Sequence, residues 1–332
     1  MRLAINGMGR VGRLLLRQLA RCPEVELVAV NDLMPAKTLA HLVRHDSVHG
    51  WASFRVRAEG ETLWLGDRPV PVFQEADPTR VPFPQRGAEG VVECTGRFTD
   101  RAGALLHLRD GVKHVVVSAF MTDPDFTVLP GLNDAELDLE RHRILAMGSA
   151  ASHGLAMMAE VLHRGFGLRH GLFTVVQSYT SDQSLLDLPH EDPRRARAAS
   201  QSMIPARTTA ARSVDLALPA LRGRLAGTAV RVPTPDGLLT DLTAWVERGI
   251  TAEAVNGAFR EAAQGPLNGL LEVLDEELVS TDLLGMEASC LFDPFLTRVM
   301  EGPLVKIHGW CDNEWAYVTR LRELLLRLEA RP

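Results

Sequence analysis

Apolar positions follow one rhythm in the first half of the chain and another in the second. Leu3 to Ile5 form a short apolar run, the sequence breaks into Asn6-Gly7-Met8-Gly9-Arg10-Val11-Gly12, and Val11, Leu14, Leu15 and Leu19 recur at helical spacing, which predicts strand, glycine loop and helix. A second apolar run, Leu27 to Val30, ends in Asn31-Asp32, and runs at Gly90 to Glu93 and His114 to Ser118 alternate with helix-like stretches such as Thr99 to Leu108. That alternation predicts a parallel sheet with helices between its strands. From about residue 150 the texture shifts to a helix-like segment, Leu155 to Arg164, an alternating strand, Leu172 to Gln177, a polar and basic stretch to about Ser200, and a strand alternating Leu with Thr from Leu239 to Val246. This reads as a mixed, mainly antiparallel sheet. The stretch from Ser178 to Ser200 is too long for a plain connection and is expected to be functional.

The glycine loop carries the first candidate chemistry. Gly7 allows the tight turn, Gly9 lets the backbone approach a pyrophosphate, and Gly12 lets helix and strand pack closely, so that the helix N-terminus faces the phosphates of a dinucleotide. Asp32 lies 20 residues past Gly12, where a carboxylate accepts hydrogen bonds from the adenosine ribose and repels a 2′-phosphate, favouring NAD over NADP. Thr95 and Ser118 follow strand ends and are either cofactor contacts or ordinary turn residues.

Composition narrows the picture. At 332 residues the chain fits two domains, and 46% hydrophobic with 23% charged residues is the balance of a soluble globular protein. A net charge of -6, spread along the chain, gives no basic surface for nucleic acid or anionic membrane, so a small-molecule partner is expected. The N-terminus lacks an apolar signal core and no membrane-spanning run occurs, which makes the cytoplasm the expected compartment. Cys22, Cys94, Cys290 and Cys311 show no CxxC spacing, so they read as thiols, and no metal site is expected.

Seven blocks then carry a resemblance: Asn6 to Arg13, Asp46-Ser-Val-His-Gly50, Ser178-Tyr-Thr-Ser-Asp-Gln183, Asp187-Leu-Pro-His190, Arg194-Arg-Ala-Arg-Ala198, Arg231-Val-Pro-Thr-Pro235 and Trp310-Cys-Asp-Asn-Glu-Trp315. In their order and spacing the chain resembles the glyceraldehyde-3-phosphate dehydrogenase family from end to end. The resemblance implies an α/β protein with a Rossmann NAD-binding domain at 1–148, an α+β catalytic-type domain at 149–312, and a helix over about 313–332 returning to the first domain. It also implies a homotetramer whose loop from about Ser178 to Ser202 reaches a neighbouring subunit's cofactor. Carried over residue by residue, Arg10, Val11, Asp32, Ser118 and Asn313 would contact NAD beside Gly7, Gly9, Gly12 and Thr95. Ser149, Thr180, Asp182, Arg195, Thr208, Thr209 and Arg231 would hold substrate phosphate or inorganic phosphate. Arginine suits that role because its planar fork of donors matches phosphate oxygens. For Arg194, Arg195 and Arg197 a solvated or intersubunit basic face is the alternative.

The pattern breaks at its chemical centre. Where the family has Ser-Cys-Thr-Thr-Asn-Cys, this chain has Ser149-Ala150-Ala151-Ser152-His153-Gly154, held in register by Ile144-Leu145 before and Leu155-Ala156 after. Alanine therefore stands at the nucleophile position. The partner histidine of the family is replaced by Gln177, which hydrogen-bonds but takes up no proton near neutral pH. Ala151, Thr209 and Ala76 also depart from the family pattern. Two groups are candidates to replace the lost pair. Cys311 is a relocated thiol or a small buried hydrophobe, and His153, three residues beyond Ala150, is an acid-base group or a core histidine. The expected function is thus an NAD-dependent oxidoreductase acting on a phosphorylated compound without the usual thioester. The alternatives are a non-catalytic binder of NAD and a phosphometabolite, or a helper subunit whose ligand site is a relic.

Overall fold

In the computed structural model, which describes residues 1–300 and 302–330, the opening apolar run is a strand because Leu3, Ala4 and Ile5 are all fully buried between neighbours. The first stretch of chain holds β1 (Arg2–Asn6), α1 (Arg10–Leu19), β2 (Glu26–Asn31), α2 (Ala36–Arg44), β3 (His45–Asp46), β4 (Gly50–Trp51), β5 (Val56–Glu59), β6 (Thr62–Leu65) and β7 (Arg68–Phe73). It continues through β8 (Gly90–Glu93), α3 (Arg101–Leu105), β9 (His114–Val117), β10 (Phe126–Thr127) and β11 (Ile144–Ala146). Among the described residues nine of these strands form one sheet in the order β10-β11-β9-β8-β1-β2-β7-β6-β5. All pairs from β10 to β7 are parallel, and only β7-β6 and β6-β5 are antiparallel. Leu14, Leu15, Leu16 and Leu19 form the buried stripe of α1.

The helix expected over Thr99 to Leu108 is shorter, because the Asp100 carboxylate caps it by accepting from the Gly103 amide at 2.7 Å. Beyond Leu105 the amides of Leu106 and His107 bond three residues back instead of four, which tightens the chain out of the α-helix.

The second stretch holds α4 (Ala150–Phe166), β12 (Leu168–Ser178), β13 (Ile204–Ala206), α5 (Ala210–Ala217), β14 (Leu225–Val232), β15 (Leu238–Val246), α6 (Ala252–Gln264), β16 (Leu271–Val273), β17 (Cys290–Val299), β18 (Leu304–Cys311) and α7 (Trp315–Ala330). Seven described strands run in the order β13-β14-β12-β15-β18-β17-β16. Four of the six pairings are antiparallel, while β14-β12 and β17-β16 are parallel, so the sheet is mixed and mainly antiparallel. The helix expected from Leu155 begins five residues earlier, because Ser149 and Ser152 form a reciprocal capping box. Gly167 ends it in the left-handed conformation, φ 72°. Leu155, Met157, Met158 and Leu162 of α4 are buried in the core with Phe173, Leu242 and Phe292, each such side chain contributing about 1.5–3 kcal/mol. The helix expected over 313–332 spans Trp315–Ala330, with Asp312 accepting from the Glu314 and Trp315 amides at its start; residues 331–332 lie outside the described residues.

Contacts divide the chain into two units. One comprises Met1–Val128, Ala135–Gly148 and the chain from Val318 on; the other comprises Leu129–Asp134 and Ser149–Tyr317. Among the described residues no helix is long and apolar enough to cross a membrane.

Candidate functional site

Close approaches that admit no side chain shape the glycine loop of the first unit. Gly7 has φ 93°, and a Cβ there would lie 2.6 Å from the Thr95 amide nitrogen, while a Cβ on Gly12 would run into the Gly7 carbonyl oxygen. Gly9, the N-cap of α1, faces open space, and no side chain caps the helix. A helix start of this kind presents its amides to an anion. Asp32 at the end of β2 fixes the loop, accepting from the Met8 amide at 2.6 Å and the Met34 amide at 3.1 Å. Asn6, Gly7, Gly9, Asp32, Ala76 and Thr95 line a cleft of about 240 Å³. This cradle, which a Cβ would fill, fits a dinucleotide with its pyrophosphate on α1 and its ribose at Asp32.

The other cofactor candidates take different places. Ser118 follows β9 and donates from Oγ to the Glu93 carbonyl at 3.0 Å. Val11 sits in the first turn of α1. Arg10 turns its guanidinium to Asp46, with bonds of 2.5 and 3.1 Å. Burial opposes the charge on Asp46, but the His49 amide and Arg10 overcome it and hold the carboxyl down at about 2. Arg10 therefore braces the loop that follows α2. Asn313, in the second unit, accepts from Ser178 Oγ at 3.1 Å.

Two arginines converge in the second unit. Arg231 on β14 is paired in register with Gln177 of β12 and Ile204 of β13, and its Nη1 donates to the Ser178 carbonyl at 2.9 Å. Burial, and then the charge of Arg195, lower its pKa to about 10. Among the described residues no carboxylate pairs with it. Arg195 is half-buried and ion-paired with exposed Asp182. Two guanidiniums repelling each other, one lacking a counter-charge, form a place where an anion is favoured. Thr180 bonds to Gln183 through both its amide and its hydroxyl, and Thr208 Oγ1 accepts from the Ala210 amide at 3.2 Å. Thr209 is the N-cap of α5 without a side-chain bond to it. Contact thus joins Arg195 to Asp182 and brings Arg231 into its field, while Thr180 and Thr208 serve local turns.

At the start of α4, Ser149 Oγ accepts from the Ser152 amide at 3.3 Å, and Ser152 Oγ accepts from the Ser149 amide at 2.8 Å. Both hydroxyls are engaged in capping. Ala150, the first helical residue, and Gln177 are half-buried. His153 is 1% exposed, with its ring centroid 5.5 Å from that of Tyr317. Cys311 is also 1% exposed and belongs to the apolar core of its unit. Burial, and then Asp312, Cys290 and Asp236, push its thiol well above the usual range, the opposite of what a nucleophile needs. Burial pushes Cys94 and Cys290 up to about 12, and burial with the Glu24 carboxylate raises Cys22. His153 and Cys311 both lie in the interior of the second unit. Asp236, 3% exposed, has its carboxyl raised far above the carboxylate range by burial and by the charge of Asp312.

Sequence reasoning missed part of the cleft. Asn31 and Glu75 line it too, and Glu93 and His107 are buried beside it. The available signal was an acidic residue closing the otherwise apolar strand Gly90 to Glu93.

Comparison with known proteins completes the picture. The family model described as the glyceraldehyde 3-phosphate dehydrogenase NAD binding domain matches residues 1–101, and that described as the C-terminal domain matches 149–313. Glyceraldehyde-3-phosphate dehydrogenase 2 of Streptomyces arenae is 47% identical over 324 residues, 97% of each chain. Glyceraldehyde-3-phosphate dehydrogenase 1 of Bacillus cereus is 45% identical over 97% of each chain, and the Geobacillus stearothermophilus enzyme is 44% identical over 97% of this chain and 96% of its own. The glycine cradle, Asp32 and these end-to-end matches together place the chain in the glyceraldehyde-3-phosphate dehydrogenase family, with NAD as its cofactor.

Proposed function

We propose that this chain binds NAD and a phosphorylated small molecule but does not carry out phosphorylating aldehyde oxidation through a thioester. The observation that carries the reading is Ala150 at the head of α4 with Gln177 on β12. A methyl group cannot attack a carbonyl, and an amide cannot take up the proton that a nucleophile must lose. Ser149 and Ser152 are committed to the helix cap, Cys311 is buried with a raised pKa, and His153 lies in the interior. What remains is a binding apparatus. The α1 N-terminus and Asp32 orient the dinucleotide, and Arg231 with Arg195 attracts the phosphate of a metabolite. Bound NAD supplies a hydride acceptor.

Purified protein is expected to bind NAD+ and inorganic phosphate in calorimetry, yet to give no NADH absorbance with glyceraldehyde 3-phosphate, NAD+ and phosphate. Turnover of about 10 per second, an ordinary enzyme rate, overturns the reading.

One observation favours a second reading, direct hydride exchange with a phosphorylated alcohol or aldehyde. Asp236 retains a proton near neutral pH and lies two residues before Leu238, the strand partner of both Gln177 and Cys311. NADH consumption with a phosphorylated aldehyde, the Asp236 carboxyl giving its proton to the new alcohol oxygen as hydride reaches the carbonyl carbon, would select this reading if it is lost in Asp236→Asn. A homotetramer is the assembly we propose. Leu185, Leu186 and Leu188 are 58–72% exposed on the Ser178–Ser202 loop, as a loop that meets another subunit requires, and sedimentation of the purified chain tests it.

A further inference from the structure

Beneath the cofactor cleft, side chains at the carboxyl ends of adjacent strands are joined in one buried chain of hydrogen bonds. Asn6 ends β1, Asn31 ends β2 and Glu93 ends β8, and they face each other in register. His107 Nε2 lies 3.0 Å from Glu93 Oε2, and the same oxygen accepts from Asn6 Nδ2 at 2.6 Å. Asn6 Oδ1 accepts from Asn31 Nδ2 at 2.7 Å. Asn31 then pairs both ways with the backbone of Glu75, its Nδ2 donating to the carbonyl at 2.9 Å and its Oδ1 accepting from the amide at 3.0 Å. Glu93 Oε1 accepts from the Thr95 amide at 2.6 Å and from the Thr95 hydroxyl. Asn6, Asn31, Glu93 and His107 are each at most 4% exposed.

His107 Nδ1 is buried without a hydrogen-bond partner among the described residues, so the ring is held through Nε2, which faces Glu93. Glu93 gathers three donors on its two oxygens, the Asn6 side-chain amide and the Thr95 amide and hydroxyl, with His107 Nε2 beside them. Each member has one direction: Glu93 accepts, Asn6 donates to it and accepts from Asn31, and Asn31 clamps the strand after β7. The atoms held this way form the cleft's walls. Thr95 is the residue that abuts Gly7, and Asn6 precedes the glycine loop.

We propose that Glu93, acting through Asn6 and Thr95, is a positioning residue for NAD, and that the chain from His107 to Glu75 sets the spacing between the glycine loop and the opposite wall of the cleft. Glu93 does not touch the cofactor in this assignment. Its neighbours do, and their aim depends on the polarity of the chain.

That polarity gives a test which simple support of the fold would not pass. Glu93→Gln sets an N–H against the N–H of Asn6 or of Thr95, and Asn6→Asp sets two carboxylates together; each is expected to weaken NAD+ binding about tenfold or more, on the scale of a buried unpaired polar group. Combined, Glu93→Gln with Asn6→Asp reverses one bond. The new amide at position 93 donates to the new carboxylate at position 6, which still accepts from Asn31, and its second N–H faces His107 Nε2. The double variant is expected to bind NAD+ within about threefold of the parent, a strong non-additivity. Calorimetry with NAD+ reads the affinities, and thermal unfolding shows that each variant is folded. Folded single variants with parental affinity overturn the proposal, as does a double variant at least as weak as the worse single one. Should Glu93→Gln fail to fold, Asn31→Ser cuts the chain at its far end and is expected to weaken NAD+ about fivefold; unchanged affinity there overturns it equally.

Discussion

The α1 and α4 helices each begin a short loop after a strand, and they begin in opposite ways. The α1 helix opens on Gly9, with no side chain over its first turn and open space where a Cβ would stand. The α4 helix opens on Ser149, whose hydroxyl and that of Ser152 close the first turn from within. A helix N-terminus is electropositive in either case. It receives a ligand's negative charge only where the sequence leaves its donors for a visitor, and here that condition holds at the cofactor loop and fails at the family's chemical centre.

The sharpest break of this comparison is at α1. Gly12→Ala drives a methyl group into the Gly7 carbonyl, and it is expected to reduce NAD+ affinity by about a hundredfold or more, with a stability loss of about 1–3 kcal/mol from overpacking; calorimetry and urea unfolding measure the two. Next comes the anion pair. Arg231→Met is expected to weaken inorganic phosphate about thirtyfold, the scale of a lost charge-assisted bond, while NAD+ affinity stays at the parental value. If phosphate binding survives the change, the anion site lies elsewhere.

At α4 the comparison can be sharpened by restoring what is missing. Ala150→Cys places a thiol on the first turn, where the helix field favours its thiolate, and mass spectrometry should find it alkylated about tenfold faster than any of the four native cysteines. Equal labelling would mean that the capped turn no longer activates a thiol.

A pH series probes the interior of the second unit. The folded state holds Asp236 protonated far above the carboxylate range, so it binds one more proton than the unfolded chain between about pH 4 and its raised pKa. The stability contributed by this proton is therefore present in acid and is lost as the pH climbs through that window. Asp236→Asn is expected to flatten the decline, with its advantage over the parent larger at about pH 9 than at about pH 5 in urea unfolding. The smallest effect belongs to the cap itself: Ser149→Ala should cost about 1 kcal/mol in the same measurement and leave NAD+ affinity unaltered.

How much of this was legible in the residues depended on the range of the interaction. The strand, glycine loop and helix at the start, and Asp32 after the next strand, were readable because spacing along the chain is itself the geometry. The head of α4 was misplaced because Ala150 to Gly154 show no apolar stripe, although Ser149 and Ser152 stood at capping distance. The helix expected from Thr99 starts two residues later because Asp100 was not recognised as its cap. The bonds from His107 to Glu75 could not be read at all, since they depend on which strands become neighbours and not on how far apart they are in sequence. Cys311 looked like a candidate for the same reason: only the alternation of β18 within its sheet decides that its sulfur faces the core.

Every sulfhydryl of the chain, from Cys22 to Cys311, is shifted toward the protonated form. For Cys94 and Cys290, at about 12, the ionised fraction at neutral pH is on the order of one part in a hundred thousand. Peroxide attacks the ionised form, so slow oxidation at all four cysteines is expected.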